Sequence, residues 1–283
     1  MRSMLFVPGD SPRKFARALA GTADALILDL EDSVAASGKL AARDTVLEML
    51  RGRGNQALYV RVNAFDTGLT VADLAAIMPG RPDGIVLPKC ESVADLLRLS
   101  TLLDAFEAAY ALPPGKTRIV AIATETARSL FGLSSYAEAG PRLLGLMWGA
   151  EDLAASLGAS ANKVGREFTS PFRQARDLCL AAAASAGVLA IDTVYTDIDD
   201  VDGLILEAEA ACRDGFAAKA VIHPKHVDPV NAAFTPSEAA VEWARQVVAL
   251  FANPVAGVMT LGGKMIDKPH LRAAERILGR VRA

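Results

Sequence analysis

ADALILDLEDSV, residues 23–34, begins as an apolar run and ends on three carboxylates, Asp29, Glu31 and Asp32, within four positions. A short continuous apolar run that stops abruptly in charge is what a strand buried on both faces of a parallel sheet presents, with its C-terminal end opening onto a site. The signature recurs along the chain. SMLFVPG near residue 3, ALYVRVN near 57, DGIVLPK near 83, RIVAIATET near 118, LLGLMWGAED near 143, LAIDTVY near 189 and AKAVIHP near 218 complete a set of eight. The segments between them carry helical spacing, such as Phe15 and Leu19, or Leu96, Leu97 and Leu103. Eight strand–helix units predict a closed (β/α)8 TIM barrel over residues 1–250, a fold that about 250 residues suffice to build.

Residues 251–283 are then left over. VAGVMTLGGKMIDKPHLRAAERIL predicts a ninth strand-like segment and a final helix, which together read as a C-terminal helical lid or arm. Its Leu271, Ile277 and Leu278 form an apolar stripe that is expected to pack on a neighbouring subunit. The alanine run LAAAASAG near 180 reads as tightly packed helix.

Composition bounds the function. A 283-residue chain with 52% hydrophobic residues builds a large core, and a net charge of −3 with no basic block interleaved with aromatics argues against a nucleic-acid partner. Cys90, Cys179 and Cys212 are scattered and odd in number, which predicts a reducing compartment, the cytoplasm. The first apolar stretch is cut by Pro8 and Gly9, too short for a signal peptide, and no run approaches the ~18 residues of a membrane span.

In a TIM barrel the site forms at the C-terminal ends of the strands. The polar residues there are Asp29, Glu31 and Asp32; Arg61 and Asn63; Lys89; Glu125; Glu151 and Asp152; Asp192; and His223. Strand alternation puts Asp29 with Glu31, and Arg61 with Asn63, on one side. So many carboxylates in one mouth raise each other's pKa, and a cation resolves the conflict. Two carboxylates with water and substrate oxygens suit Mg2+, with Mn2+ as the substitute, whereas three histidines and no thiolate cluster disfavour zinc. His223 and His226 flank Pro224 and read as structural. Arg61 either presents a planar fork to a carboxylate or enolate oxygen or forms a salt bridge to Asp29 or Glu31; spacing leaves both open. Lys89 either forms a Schiff base or pairs with the acidic mouth, and the abundance of carboxylates favours pairing. For Asp29, Glu31 and Asp32 the alternative is a cluster at a helix start.

RSMLFVPGDSPRKFARAL, DALILDLEDSV followed by Lys39 and Arg43, VRVN, GIVLPK, GLMWGAEDLAASLG, AIDTVYTD and VIHPKHVDPVNAAFTPS occur in one order across nearly the whole chain. That order resembles the citrate lyase β-subunit-like family, with its malyl-CoA and citramalyl-CoA lyases, within the HpcH/HpaI aldolase group. The resemblance implies a Mg2+-dependent TIM-barrel enzyme that cleaves or forms a carbon–carbon bond between acetyl-CoA and a 2-oxo acid. It implies Glu125 and Asp152 as metal ligands, with Glu125 and Arg61 at the substrate. Asp29 and Glu31, with Asp32, are implied as inner acids that support the metal's waters and Arg61. Phe6 and Arg17 are implied at the nucleotide end of CoA, although Ser11 stands where some relatives have a basic residue. In GGKMIDKPH the resemblance implies a lid whose Asp267 acts in catalysis from an adjacent subunit, and hence a homotrimer. Gly262, Ala218 and His226 stand where relatives often have Asp, Gly and Gln. The alternatives are a citryl-carrier lyase subunit, a malyl-CoA thioesterase, and a non-catalytic CoA-binding subunit.

Overall fold

The computed structural model describes residues 1–252 and 258–281. The eight expected strands form: β1 (Ser3–Pro8), β2 (Ala25–Asp29), β3 (Ala57–Arg61), β4 (Gly84–Leu87), β5 (Arg118–Ile122), β6 (Leu143–Met147), β7 (Leu189–Asp192) and β8 (Ala218–Val221). Each pairs in parallel with its sequence neighbours, and β8 returns to β1 with Ser3 opposite Lys219 and Leu5 opposite Val221, which closes the barrel. The (β/α)8 expectation is borne out.

The helices are α1 (Pro12–Leu19), α2 (Lys39–Arg51), α3 (Thr70–Ile77), α4 (Val93–Ala109), α5 (Ser129–Gly132), α6 (Glu151–Leu157), α7 (Ser170–Ala186), α8 (Val201–Asp214), α9 (Val227–Phe234), α10 (Glu238–Phe251) and α11 (Lys268–Val281). Three begin where the sequence supplies a cap: Ser92, Asp200 and Ser237 accept backbone N–H groups at the starts of α4, α8 and α10. A small hairpin, Lys163–Val164 with Glu167–Phe168, interrupts the connection between α6 and α7.

Alternation divides the strands between two cores. Met4, Ala25, Ile27, Tyr59, Val120 and Ile191 fill the barrel, while Leu5, Leu26, Leu28, Leu58 and Leu146 pack outward under the helices. Both faces are buried, which is why the strands read as unbroken apolar runs. In α7, Ala182 and Ala183 are buried, the tight packing expected of the alanine run.

One polar cluster pins the far end of the barrel. The buried Glu107 carboxylate at the end of α4 accepts N–H bonds from Gly115 at 2.7 Å and Thr117 at 2.9 Å. Arg142 Nη1 and Nη2 donate to it at 2.9 and 2.6 Å. Burial works against ionisation, but Arg142 and the N–H groups bring the Glu107 pKa down to about 2. The resulting stability is present above the unfolded value and lost as pH falls through about 2. Glu107→Gln therefore costs about 2 kcal/mol at neutral pH by removing the buried charge that faces Arg142, which keeps its contacts with Asp104 and the Thr117 carbonyl. In denaturant melts of both proteins that gap shrinks steadily as pH is lowered from about 5 towards 2.

After the barrel, Met259–Leu261 and Lys264–Ile266 form an antiparallel hairpin. Its two-residue turn is Gly262 and Gly263, at φ 56° and 77°. A turn with both central residues left-handed accepts glycine without strain, which accounts for Gly262. The expectation that Leu271, Ile277 and Leu278 pack on another subunit is corrected: they lie against a cluster of Ala244, Val247, Ile266 and Ala274, so α10 covers α11 within the same chain. An amphipathic stripe predicts a cover without saying which element supplies it. The first residues of the expected ninth segment, at 255–257, and the chain's end at 282–283 lie outside the described residues. Among the described residues no helix is long and apolar enough to cross a membrane.

Candidate active site

Asp29 and Arg61 end adjacent strands and stand opposite each other in register. Alternation turns both inward, above Ile27 and Tyr59 of the inner core. Arg61 Nε and Nη2 donate to the two oxygens of Asp29, each at 2.7 Å, a bidentate pair. Asp29 also accepts the N–H groups of Glu31 at 2.9 Å and Ser33 at 3.1 Å. Burial opposes its charge, but Arg61 and these donors hold its pKa below the ordinary value. The third arm of Arg61, Nη1, lies 3.0 Å from Glu31 Oε2. Burial disfavours the Arg61 charge as well, yet Asp29, Glu31 and Glu125 keep the guanidinium protonated. Its carbon sits 4.8 Å from the centre of the Phe6 ring.

Lys89 follows β4 in a left-handed conformation at φ 50°, a costly backbone for a residue with a β-carbon. The bend turns its N–H onto Glu125 Oε2, 2.6 Å away. Its ammonium bonds Glu31 Oε1 and stands 3.4 Å from Asp152 Oδ1. Burial lowers its pKa, but Glu31, Glu125 and Asp152 raise it by more, so Lys89 stays charged. It pairs with the acidic mouth, as the carboxylate count suggested, and a charged amine is no Schiff-base nucleophile.

Glu125 is buried at 4% exposure. Burial, then the charges of Glu31 and Asp152, push its pKa up to about 8 despite the Lys89 N–H and Arg61. Gly149 allows the close approach of the next loop: a β-carbon there would meet Glu125 Cγ at 2.7 Å. The loop then delivers Glu151 and Asp152 at the start of α6. Asp29, Asp32, Arg61, Glu125, Asp152 and Phe6 all line one cavity of about 410 Å³, walled by Met147, Trp148, Val194 and Ile222.

Other strand-end residues turn elsewhere. Asn63 donates to Leu30 O at 3.0 Å and to Asp73 at 2.7 Å, because the chain leaves β3 after Arg61 and alternation no longer applies. Ile191 faces the barrel, so Asp192 faces the helices, where it accepts from Trp148 Nε1 at 2.7 Å and Lys219 Nζ at 2.6 Å. His223 accepts the Lys225 N–H, and a ring nitrogen of the buried His226 meets Ile198 O at 3.1 Å, both structural roles. Arg17 is exposed on α1, and Asp267 pairs with His270 at 2.5 Å; neither lines the cavity. Sequence reasoning missed Lys39, whose ammonium bonds the Leu30 and Glu31 carbonyls at 2.8 and 2.7 Å and braces the acidic loop. Its place in the DLEDSV…K..AR motif was the available signal.

A divalent ion fits this donor set. Among the described residues no group of three or more His, Cys, Asp or Glu gathers as a closed metal cage. Two carboxylates lining one cavity with largely apolar walls, one with its pKa raised by burial and neighbouring acids, match the habit of Mg2+, which keeps water and substrate oxygens among its ligands.

The model of the HpcH/HpaI aldolase/citrate lyase family matches residues 2–224. The chain belongs to this family. A citrate lyase subunit beta-like protein of Mycobacterium tuberculosis is 38% identical over 281 residues, 98% of this chain and 94% of that protein. An L-malyl-CoA/beta-methylmalyl-CoA lyase of Cereibacter sphaeroides is 32% identical over 300 residues, covering 98% and 93%. The crystal structure of CitE from Mycobacterium tuberculosis in complex with magnesium, acetoacetate and coenzyme A superimposes with a TM-score of 0.79 at 36% identity, over 100% of this chain and 98% of that one. As a member of the HpcH/HpaI aldolase/citrate lyase family, with relatives that are lyases along its whole length, the protein is a carbon–carbon lyase.

Proposed function

We propose that the protein is a Mg2+-dependent acyl-CoA lyase that splits a 3-hydroxyacyl-CoA, of the malyl-CoA or citramalyl-CoA type, into acetyl-CoA and a 2-oxo acid. The observation that carries this reading is the single cavity in which Glu125 and Asp152 face Arg61. Glu125 and Asp152 would hold the ion, which when bound would supply Lewis acidity to the hydroxy acid. As the carbinol O–H gives up its proton, its oxygen becomes the carbonyl of the 2-oxo acid, the carbon–carbon bond breaks with its electron pair forming an acetyl-CoA enolate, and one proton is delivered to the enolate carbon, so that the proton lost from oxygen balances the proton gained at carbon. Arg61, fixed by Asp29 and Glu31, presents its guanidinium to the enolate oxygen. Phe6 and Arg17 are read as contacts of CoA, and the cytoplasm as the compartment of the reaction.

Purified protein incubated with a panel of 3-hydroxy-3-carboxylic acyl-CoAs, with and without Mg2+, tests this. The expected result is acetyl-CoA and a 2-oxo acid from at least one of them, only with metal. Release of free CoA with a hydroxy diacid would make it a thioesterase. Cleavage confined to an acyl-carrier thioester would make it a citrate lyase subunit.

Asp267 is read as the general acid that returns the proton to the enolate carbon, reaching the mouth of an adjacent subunit in a homotrimer. Its absence from its own chain's cavity lining supports this. Mixing inactive Asp267→Asn with inactive Glu125→Gln then restores part of the activity, because some mixed sites combine an intact lid with an intact carboxylate pair. If mass spectrometry shows that subunits exchange and activity stays at the single-mutant level, Asp267 does not act in trans.

A further inference from the structure

Among the residues of the mouth, Lys89 meets both carboxylates read as ion ligands, and it does so with different atoms. Its N–H donates to Glu125 Oε2 at 2.6 Å, while its ammonium stands 3.4 Å from Asp152 Oδ1 and bonds Glu31 Oε1. The backbone contact depends on the left-handed bend at φ 50°, a conformation that persists only when the surroundings hold it. The side chain is 28% exposed and Asp152 is 35% exposed, so the ammonium–Asp152 contact lies at the open side of the cluster. The Glu31 contact lies deeper, with Glu31 at 6%. One lysine therefore supplies a fixed donor to the buried ligand and a movable cation to the open one.

We propose that Lys89 is the internal counter-cation of the mouth: in the metal-free protein its ammonium occupies Asp152, and a divalent ion binds by displacing it while the Lys89 N–H continues to orient Glu125. Lys89 is thus a positioning residue that weakens metal binding in exchange for a site held together before the ion arrives. Without it, Glu31, Asp152 and Glu125 repel one another, with Arg61 the remaining cation beside the group among the described residues. This inference rests on Glu125 and Asp152 being the ligands, so its test reads metal binding and stability, and separates the two claims.

Mn2+ binding to the full-length protein is measured by electron paramagnetic resonance of the free ion, and melting is followed with and without the metal. Asp152→Asn must abolish Mn2+ binding seen in the wild type; unchanged binding would overturn the ligand assignment and the exchange with it. Given that loss, Lys89→Met, which keeps the β-carbon and its backbone, binds Mn2+ about tenfold tighter. Its metal-free form melts at a lower temperature than the wild type, and saturating Mn2+ closes that gap. Lys89→Gln shows the same direction and serves if the methionine variant folds poorly. Lys225, an exposed cation paired with Asp199 at 3.1 Å, controls for general charge, and Lys225→Met shifts affinity by less than about twofold. Binding that is unchanged or weaker in both Lys89 variants, or an equal gain in Lys225→Met, would overturn the exchange.

Discussion

Glu125→Gln lowers turnover by about a thousandfold or more at saturating Mg2+, because it removes one of two charges proposed to hold the ion and leaves the fold intact. The same change stabilises the metal-free protein. Burial and the neighbouring acids raise the Glu125 pKa to about 8, so the folded chain keeps a proton that the unfolded chain releases near 4.5. A raised pKa contributes stability below the unfolded value that is lost as pH climbs through the folded one. In the absence of metal the wild type accordingly loses stability between about pH 4.5 and 8, and Glu125→Gln does not. At pH 9 the variant is the more stable by on the order of a few kcal/mol, each unit of displacement being worth about 1.4 kcal/mol. Thermal melts from pH 4 to 9 with chelator present check the crossing. A variant that is both inactive and less stable across the range would show that Glu125 is structural.

Arg61→Lys is expected to lower kcat by about a hundredfold or more. The guanidinium donates two of its N–H groups to Asp29 and sets Nη1 as an ion pair 3.0 Å from Glu31 Oε2, and only a planar fork fulfils both while lining the cavity. An ammonium bonds one acid and abandons the other. Since the proposed enolate would form only along the reaction, the loss is expected to fall on kcat more than on KM. Steady-state kinetics on whichever thioester the panel reveals separates the two. A KM effect with kcat intact would confine Arg61 to binding the ground state.

The fold was legible because both of its cores are apolar: each strand announces itself as an unbroken run, and eight runs leave little choice of architecture. Within the site, Asp29 and Arg61 were legible for the same geometric reason, as inward positions at the ends of neighbouring strands. Alternation failed where a strand stopped. Asn63 lies beyond the last residue of β3 and bonds Leu30 and Asp73. Asp192, the last residue of β7, obeys alternation instead: with Ile191 inward it turns outward, so ending an apolar run did not by itself mark a residue of the mouth. The double contact of Lys89 could not be read at all, since nothing in IVLPKCES marks a left-handed lysine. The stripe of Leu271, Ile277 and Leu278 specified a buried face and left its cover open between α10 and another chain, because both are apolar and periodicity carries no address.

The central claim is that the mouth of this barrel holds a divalent ion on Glu125 and Asp152 beside Arg61. Anomalous diffraction from crystals soaked in Mn2+ and a 2-oxo acid tests it most directly. The predicted result is one strong peak in the cavity, within ligand distance of one oxygen of each carboxylate, with the oxo acid on its open side. A peak elsewhere, or a mouth in which Lys89 still holds Asp152 at saturating Mn2+, would contradict it.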